Sequence, residues 1–91
     1  MSIRWTESAA NQIESIFEYI ASDSADAAVH TILRIQEAID RVEKMPYSAR
    51  IGRRNGTREL VVAGTPYIVV YRIHEEAIQI LRVVHGAQNW Q

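Results

Sequence analysis

Residues 58–90 contain three runs of apolar, β-branched and aromatic residues that are separated by short polar turns. One turn is Gly64-Thr65-Pro66, in which glycine and proline favour a chain reversal, and the other is His74-Glu75-Glu76. Runs of this length between turn residues are typical of β-strands. The pattern therefore predicts an antiparallel meander of three strands in the last third of the chain.

The predicted strands are apolar on both faces, whereas a half-solvated antiparallel sheet alternates apolar and polar residues. In the middle strand the alternation predicts one face with Tyr67, Val69, Tyr71 and Ile73 and another with Ile68 and Val70. In the last strand it predicts one face with Ile78, Ile80 and Val84 and another with Leu81 and Val83. Two helices can cover only one face of such a sheet. We therefore expect another polypeptide to cover the second face, with the groove between the two helices as an alternative docking site.

Two amphipathic helices are predicted before the meander. The first is expected to begin at Glu7 with Thr6 as its N-cap, and the second lies between the polar segment 22–24 and Pro46. Apolar residues recur at helical spacing in both. The stripe of the first helix is Ile13, Ile16, Phe17 and Ile20, and the seam of the second is Ala28, Ile32, Ile35, Ile39 and Val42. The short link between them predicts an antiparallel helical hairpin.

The remaining segments complete a single-domain prediction. Residues 3–5 form a short strand candidate, and residues 47–56 are expected to be a loop because they contain two glycines and no periodicity. The predicted order of elements is β-α-α-β-β-β. We therefore expect one α+β domain over residues 1–91, with an antiparallel sheet packed on a two-helix hairpin.

Composition excludes several classes of protein and leaves one local charge feature. The chain has 91 residues, no cysteine and a net charge of −1, and its N-terminus lacks the pattern of a signal peptide. No apolar stretch approaches the ~20 residues that span a bilayer. We therefore expect a cytoplasmic, cofactor-free protein that makes no contact with membranes and does not itself bind DNA sequence-specifically. Although the net charge is small, four arginines cluster at positions 50, 53, 54 and 58. Such a cluster could bind phosphate or an acidic partner.

Several short motifs occur in a specific order along the chain. They are Arg58-Glu59-Leu60, the strand Pro66-Tyr67…Val70-Tyr71-Arg72, and Ile80–Gly86 followed by Trp90, with a looser match at Ile3–Thr6. Together they resemble the ParE branch of the RelE/ParE toxins of type II toxin–antitoxin modules, which act in plasmid stabilisation. The resemblance implies a cognate antitoxin as partner. It also implies inhibition of DNA gyrase through a protein–protein contact, since known members of the branch act in this way.

The middle strand departs from the nuclease branch of the same superfamily. In that branch the corresponding strand resembles Tyr-Arg-Leu-Val-Tyr, and its arginine stabilises the charged phosphorane during attack by the ribose 2′-hydroxyl. Here Ile68 stands in place of that arginine, and an isoleucine cannot stabilise an oxyanion. The alternative function, a ribosome-dependent mRNA endoribonuclease of the RelE type, is therefore disfavoured. A further alternative is a toxin-like fold that has lost toxicity and serves only as a binding module.

Candidate site residues follow from the resemblance and from the chemistry of the side chains. The residues expected to bind the antitoxin are Arg53, Arg54, Arg58, Ile68, Val70, Arg82 and Trp90. A nuclease would rely on the same four arginines, at positions 53, 54, 58 and 82, and on His85 as general acid or base. Arg82 is expected to pair with Glu59 or to meet a bound carboxylate. His30 and His74 have no acidic or cysteine ligand pattern between them, so we expect no metal site.

Overall fold

A computed structural model of the chain describes residues 1–88 and contains two helices and one sheet. The elements are β1 (Ser2–Trp5), α1 (Glu7–Ala21), α2 (Ala25–Lys44), β2 (Arg50–Ile51), β3 (Arg58–Val61), β4 (Tyr67–His74) and β5 (Ala77–His85). The order of strands across the sheet is β1-β5-β4-β3-β2. All neighbours are antiparallel except β1 and β5, which are parallel. The predicted α+β fold is confirmed, with a short strand, β2, inside the segment expected to be a loop.

Both helices begin and end where side-chain chemistry favours it. Thr6 caps α1, because its hydroxyl oxygen accepts a hydrogen bond from the Ala9 amide at 3.1 Å, and the helix begins at Glu7 as predicted. Ser24 caps α2 in the same way, and α2 ends at Lys44, before the proline. Within residues 1–88, neither helix is long and apolar enough to cross a membrane.

The main core lies between the helical hairpin and the sheet. The α2 seam supplies Ile35, Ile39 and Val42, which are almost fully buried, while Ile32 is half-buried. The α1 stripe is less well covered, and Phe17 is 39% exposed. From the sheet the core receives Tyr67, Val69, Tyr71, Ile78, Ile80 and Val83. The hairpin and one face of the sheet therefore share one core, as predicted from the two periodicities.

A β-bulge in β5 changes the predicted alternation of that strand. Tyr71 lies opposite Ile80 and Val70 lies opposite Arg82, so that Leu81 is an extra residue between the two pairs. Beyond the bulge the faces are exchanged. Val83 therefore joins the helix-facing core and Val84 joins the opposite face, so the prediction that Val84 shares a face with Ile78 and Ile80 was wrong.

The second face of the sheet is covered within the single chain. Ile68, Val70 and Val84 form a small apolar cluster with Leu81, and the first three are only 4–7% exposed. The prediction that another polypeptide must cover this face was therefore wrong. The face is covered because its apolar strip is short and long polar side chains lie beside it. Glu59 and Arg82 are in register with Val70, one on either side.

Candidate partner-binding site

A buried carboxylate organises most of the arginine cluster. Glu59 is 3% exposed and accepts two hydrogen bonds, one from Arg50 Nη2 at 3.1 Å and one from the Arg53 backbone amide at 2.8 Å. The Arg53 Nε atom lies 3.9 Å from the same carboxylate. Because one buried side chain binds both ends of the segment 50–53, the loop is held against β3 while the two guanidinium groups stay about half-exposed.

Arg58 lies on the other face of the sheet. Its register partner is Tyr71, a residue of the helix-facing core. The Arg58 Nη1 atom donates to the carbonyls of Tyr47 and Ala49 at 3.0 and 2.8 Å, and the guanidinium lies 5.2 Å from the centroid of the Tyr47 ring. These contacts fix the segment that follows α2, so this arginine acts as a structural tie between β3 and that segment.

Arg82 lies on the second face, in register with Val70. Its expected partner, Glu59, uses its two carboxylate oxygens for Arg50 and the Arg53 amide. The structure therefore groups Arg82 with Ile68 and Val70 and separates all three from the Arg58 guanidinium. Trp90, the remaining candidate for antitoxin binding, lies outside the described residues.

His85 and Arg82 meet at a groove beside the end of β5. The His85 ring packs edge-on against Tyr67, with 5.6 Å between the ring centroids, and its Nδ1 atom accepts a hydrogen bond from the Ala87 amide. The groove has a volume of about 1280 Å³ and lies between this end of the sheet and one face of α1. Burial raises the pKa of Tyr67, and the neighbouring Tyr19 raises it further, so the Tyr67 phenol is neutral at pH 7.

The other two histidines lie away from this groove. His30 is exposed on α2, and the His74 Nε2 atom lies 3.8 Å from Glu75 at an exposed turn. Among residues 1–88, no three histidine or acidic side chains lie close enough together to hold a metal ion.

Comparison with known proteins identifies the family. Residues 3–90 match the family model described as ParE toxin of the type II toxin–antitoxin system parDE. The chain belongs to this toxin family. The protein Y4kP of Sinorhizobium fredii, which is named as a toxin, is 44% identical over 97% of this chain and 91% of its own length. Toxin RelE2 of Caulobacter vibrioides is 32% identical over 92% of this chain and 93% of its own length.

Solved structures agree with this assignment. The chain superimposes on a chain of the chromosomal ParDE toxin–antitoxin system of P. aeruginosa with a TM-score of 0.83, at 25% identity, over 93% of this chain and 95% of the other. It also shares the fold of the YoeB/ParE toxin of Agrobacterium tumefaciens, with a TM-score of 0.65 at 15% identity, over 93% and 98% of the two chains. As a type II toxin of the ParE/RelE superfamily, the protein has a cognate antitoxin as its implied partner.

Charge is divided unevenly between the two halves of the toxin. Residues 1–45 carry four basic and eight acidic side chains, whereas residues 46–91 carry six arginines and three acidic side chains. The helical hairpin is therefore acidic and the sheet with its loop is basic. An acidic partner segment would be attracted to the sheet side of the ParE-family toxin.

Sequence reasoning missed two functional candidates in the toxin. Gln12 lies outside the apolar stripe predicted for α1, yet its side-chain oxygen accepts a hydrogen bond from the Val83 amide at 2.9 Å. Gln88 makes the corresponding bond with the His85 amide at 3.2 Å. The Gln12 contact joins residues 71 positions apart, and no local pattern signals it, because it depends on where α1 crosses the sheet.

Proposed function

We propose that this ParE-family toxin inhibits DNA gyrase by a protein–protein contact, and that it does not cleave mRNA on the ribosome. The observation that carries the proposal is the environment of Ile68. This residue replaces the arginine of the nuclease branch and is buried at 7% exposure among Val70, Val84 and Leu81. A buried isoleucine offers no hydrogen-bond donor to a developing oxyanion.

Arg50, Arg53 and Arg58 are not placed to take over this role. Arg58 lies on the face opposite to Ile68, and its Nη1 atom donates to two backbone carbonyls. Arg50 and Arg53 are bound to Glu59. A phosphoryl-transfer site needs its cationic groups to converge on one phosphate. The separation of Arg58 from Arg50 and Arg53 supports a non-enzymatic mode of action. We propose that the toxin acts in the cytoplasm, where gyrase acts.

One observation favours the nuclease alternative. Arg82 and His85 line the same groove, and the His85 Nε2 atom is the ring nitrogen left for proton transfer when Nδ1 accepts from Ala87. The name of the RelE2 relative agrees with this alternative, while the parDE description of the family model and the ParDE structure agree with gyrase.

Induction of the toxin alone in a bacterial host separates the two activities. A gyrase inhibitor is expected to cause loss of plasmid supercoiling and a DNA-damage response while amino-acid incorporation continues. Rapid arrest of protein synthesis with cleaved mRNA would overturn the proposal, and absence of any growth defect would indicate a binding module without toxicity.

A matched pair of variants sharpens this experiment. His85→Gln removes the ring that a nuclease would need, and His30→Gln changes an exposed histidine far from the groove. Under the proposal both variants keep the toxicity and the inhibition of purified gyrase. A selective loss of toxicity in His85→Gln, with correct folding confirmed by circular dichroism, would support the nuclease.

We also propose that the basic side of the toxin contacts acidic side chains of the antitoxin. Arg53, Arg54 and Arg82 are the expected contacts, and Ile68 and Val70 form a largely buried apolar strip beside them. The excess of arginine after residue 45 supports this assignment. Reversal of charge at Arg54, an exposed loop residue, is expected to weaken the complex and to reduce its dependence on salt concentration.

A further inference from the structure

Strand β5 is paired along only half of its outer edge. β1 runs beside Ala77–Ile80 and ends with the pair formed by Trp5 and Ile80. The chain then turns into α1 at Thr6, whose hydroxyl group lies 3.0 and 3.1 Å from the carbonyl oxygens of Ile80 and Leu81. Among residues 1–88, no strand lies beside the rest of β5, residues 81–85, on this side, and this part of β5 borders the groove under α1.

Side-chain amides occupy the hydrogen-bonding positions of the missing strand. The amide of Val83 donates to the side-chain oxygen of Gln12, and the amide of His85 donates to that of Gln88. These two residues are separated by Val84, which faces the other way in the ladder with β4. Outward amides at every second residue are the pattern that a main-chain partner would bind.

We propose that residues 81–85 of β5 are a strand-acceptor edge for an extended segment of the cognate antitoxin, and that Gln12 and Gln88 hold this edge in the free toxin. Carbonyl groups of the incoming segment replace the two side-chain oxygens. The inference rests on the antitoxin partnership of the family and is independent of the choice between gyrase and ribosome as target.

The groove fits one extended chain with apolar residues at alternate positions. Five residues of a strand span about 17 Å, and the volume beside the edge is about 1280 Å³. Its α1 wall carries the small residues Ser8 and Ser15, which leave room for a backbone, and then Ile16 and Tyr19. Side chains that point toward this wall therefore meet an apolar end of the groove.

A second copy of the toxin fits this edge poorly. In an edge-to-edge dimer the two strands must approach to about 4.8 Å. Each copy carries α1 beside its own edge, so two such helices would have to fit on either side of the new pair. A single flexible segment has no such obstacle. Native proteins protect an open edge, and the two glutamines provide that protection here.

The first test fills the groove. Ser15→Trp places a bulky side chain in it, and Ala10→Trp makes the same change at an exposed α1 position outside the groove. With the antitoxin encoded beside the toxin gene, we expect Ser15→Trp to weaken binding at least 100-fold and Ala10→Trp to change it less than threefold. Equal affinities for both variants would overturn the proposal.

The second test distinguishes a placeholder from a direct contact. Gln12→Ala removes the side-chain oxygen that the antitoxin backbone is proposed to replace. The expected affinity is unchanged or a few-fold tighter, because no hydrogen bond must be broken before the strand binds. Weakening by tenfold or more would contradict the displacement and identify Gln12 as an antitoxin contact.

Amide hydrogen exchange locates the new hydrogen bonds. In the complex, the outward amides of Val83 and His85 are expected to exchange at least tenfold more slowly than in the free toxin, and in free Gln12→Ala the Val83 amide is expected to exchange faster. Protection elsewhere without slowing at these residues would refute the site, and slowing in concentrated toxin alone would assign the edge to a second copy.

Toxicity separates this inference from the proposed function. Ser15→Trp is expected to stay toxic and to escape neutralisation by the antitoxin. If gyrase proves not to be the target, the toxicity has another cause, but Ser15→Trp is still expected to escape neutralisation. If Ser15→Trp is neutralised normally, the acceptor edge is wrong whatever the target is.

Discussion

The bond network around Glu59 allows a quantitative prediction about the arginine loop. Glu59→Gln keeps the size of the side chain and removes its charge. A carboxylate accepts on both oxygens, whereas the glutamine amide has one acceptor oxygen and one donor nitrogen, so one of the two hydrogen bonds, worth about 1.5–3 kcal/mol, is lost while the neutral amide escapes part of the cost of burying a charge. We therefore expect the free energy of unfolding to fall by about 2 kcal/mol, which corresponds to a Tm lower by roughly 8–16 °C.

Arg50 gives the matched comparison. Its side chain is 54% exposed, so its bond to Glu59 is partly screened by solvent. Arg50→Ala leaves the buried carboxylate with the Arg53 amide, and we expect a loss of about 1 kcal/mol, smaller than for Glu59→Gln. Because both changes act on one bond, the double variant should be more stable than the sum of the single losses predicts, by about 0.5–1 kcal/mol.

Urea denaturation followed by circular dichroism measures these stabilities, and trypsin measures the loop itself. Trypsin cleaves after arginine, and the segment held by Glu59 contains Arg50, Arg53 and Arg54. If release of the loop accounts for the loss, cleavage in this segment of Glu59→Gln should accelerate roughly 30-fold, as about 2 kcal/mol requires. A larger loss for Arg50→Ala than for Glu59→Gln, or additive single losses, would refute the reasoning.

Three other predictions concern a turn, a cap and a buried phenol. Glu75 and Glu76 form the two-residue turn between β4 and β5 with φ of +49° and +61°, where asparagine and glycine are favoured, so Glu75→Asn with Glu76→Gly should raise the free energy of unfolding by about 1–2 kcal/mol. A double glutamine variant, which removes the charges and keeps the strain, should gain less than about half of that. Thr6→Val should lower stability by about 1–2 kcal/mol in urea denaturation, because it removes a helix cap and the hydroxyl bonds to β5; no change would contradict the capping role. Burial raises the pKa of Tyr71, and the smaller effects of Arg58 and a backbone hydrogen bond oppose this rise. As the pH rises, the phenol of the unfolded chain therefore ionises before that of the folded toxin, so stability should fall above about pH 10. Thermal unfolding of Tyr71→Phe should show a smaller alkaline loss, and an equal loss would refute this assignment.

Periodic patterns predicted the elements because the helices and strands of the toxin bury one regular face each. The caps at Thr6 and Ser24 and the end of α2 before Pro46 depend on local chemistry, so they were readable from the sequence. The bulge at Leu81 was not. A strand of mixed apolar residues satisfies either alternation, and only its pairing with β4 decides which residues face the helices.

The candidate site was less predictable than the fold, because its contacts are tertiary. The arginine cluster is obvious in the sequence, yet neighbouring residues of a strand point to opposite faces, so Arg58 and Glu59 have unrelated partners. The separation of Arg58 from Arg82 follows from pairing across β4. Gln12 is an ordinary exposed residue of a helix until the crossing of α1 over β5 gives it a backbone amide to bind.

The open edge of β5 is a consequence of how the first helix begins. Thr6 ends β1, caps α1 and lies within hydrogen-bonding distance of two carbonyl oxygens of β5, so the chain must leave the sheet at that point. A longer β1 would protect the edge but would remove the cap and the first turn of α1. The fold therefore keeps half an edge unpaired, and a polar side chain from the same helix, Gln12, compensates for it. Such a temporary bond suits a protein that must be stable alone and must also accept a strand from its antitoxin.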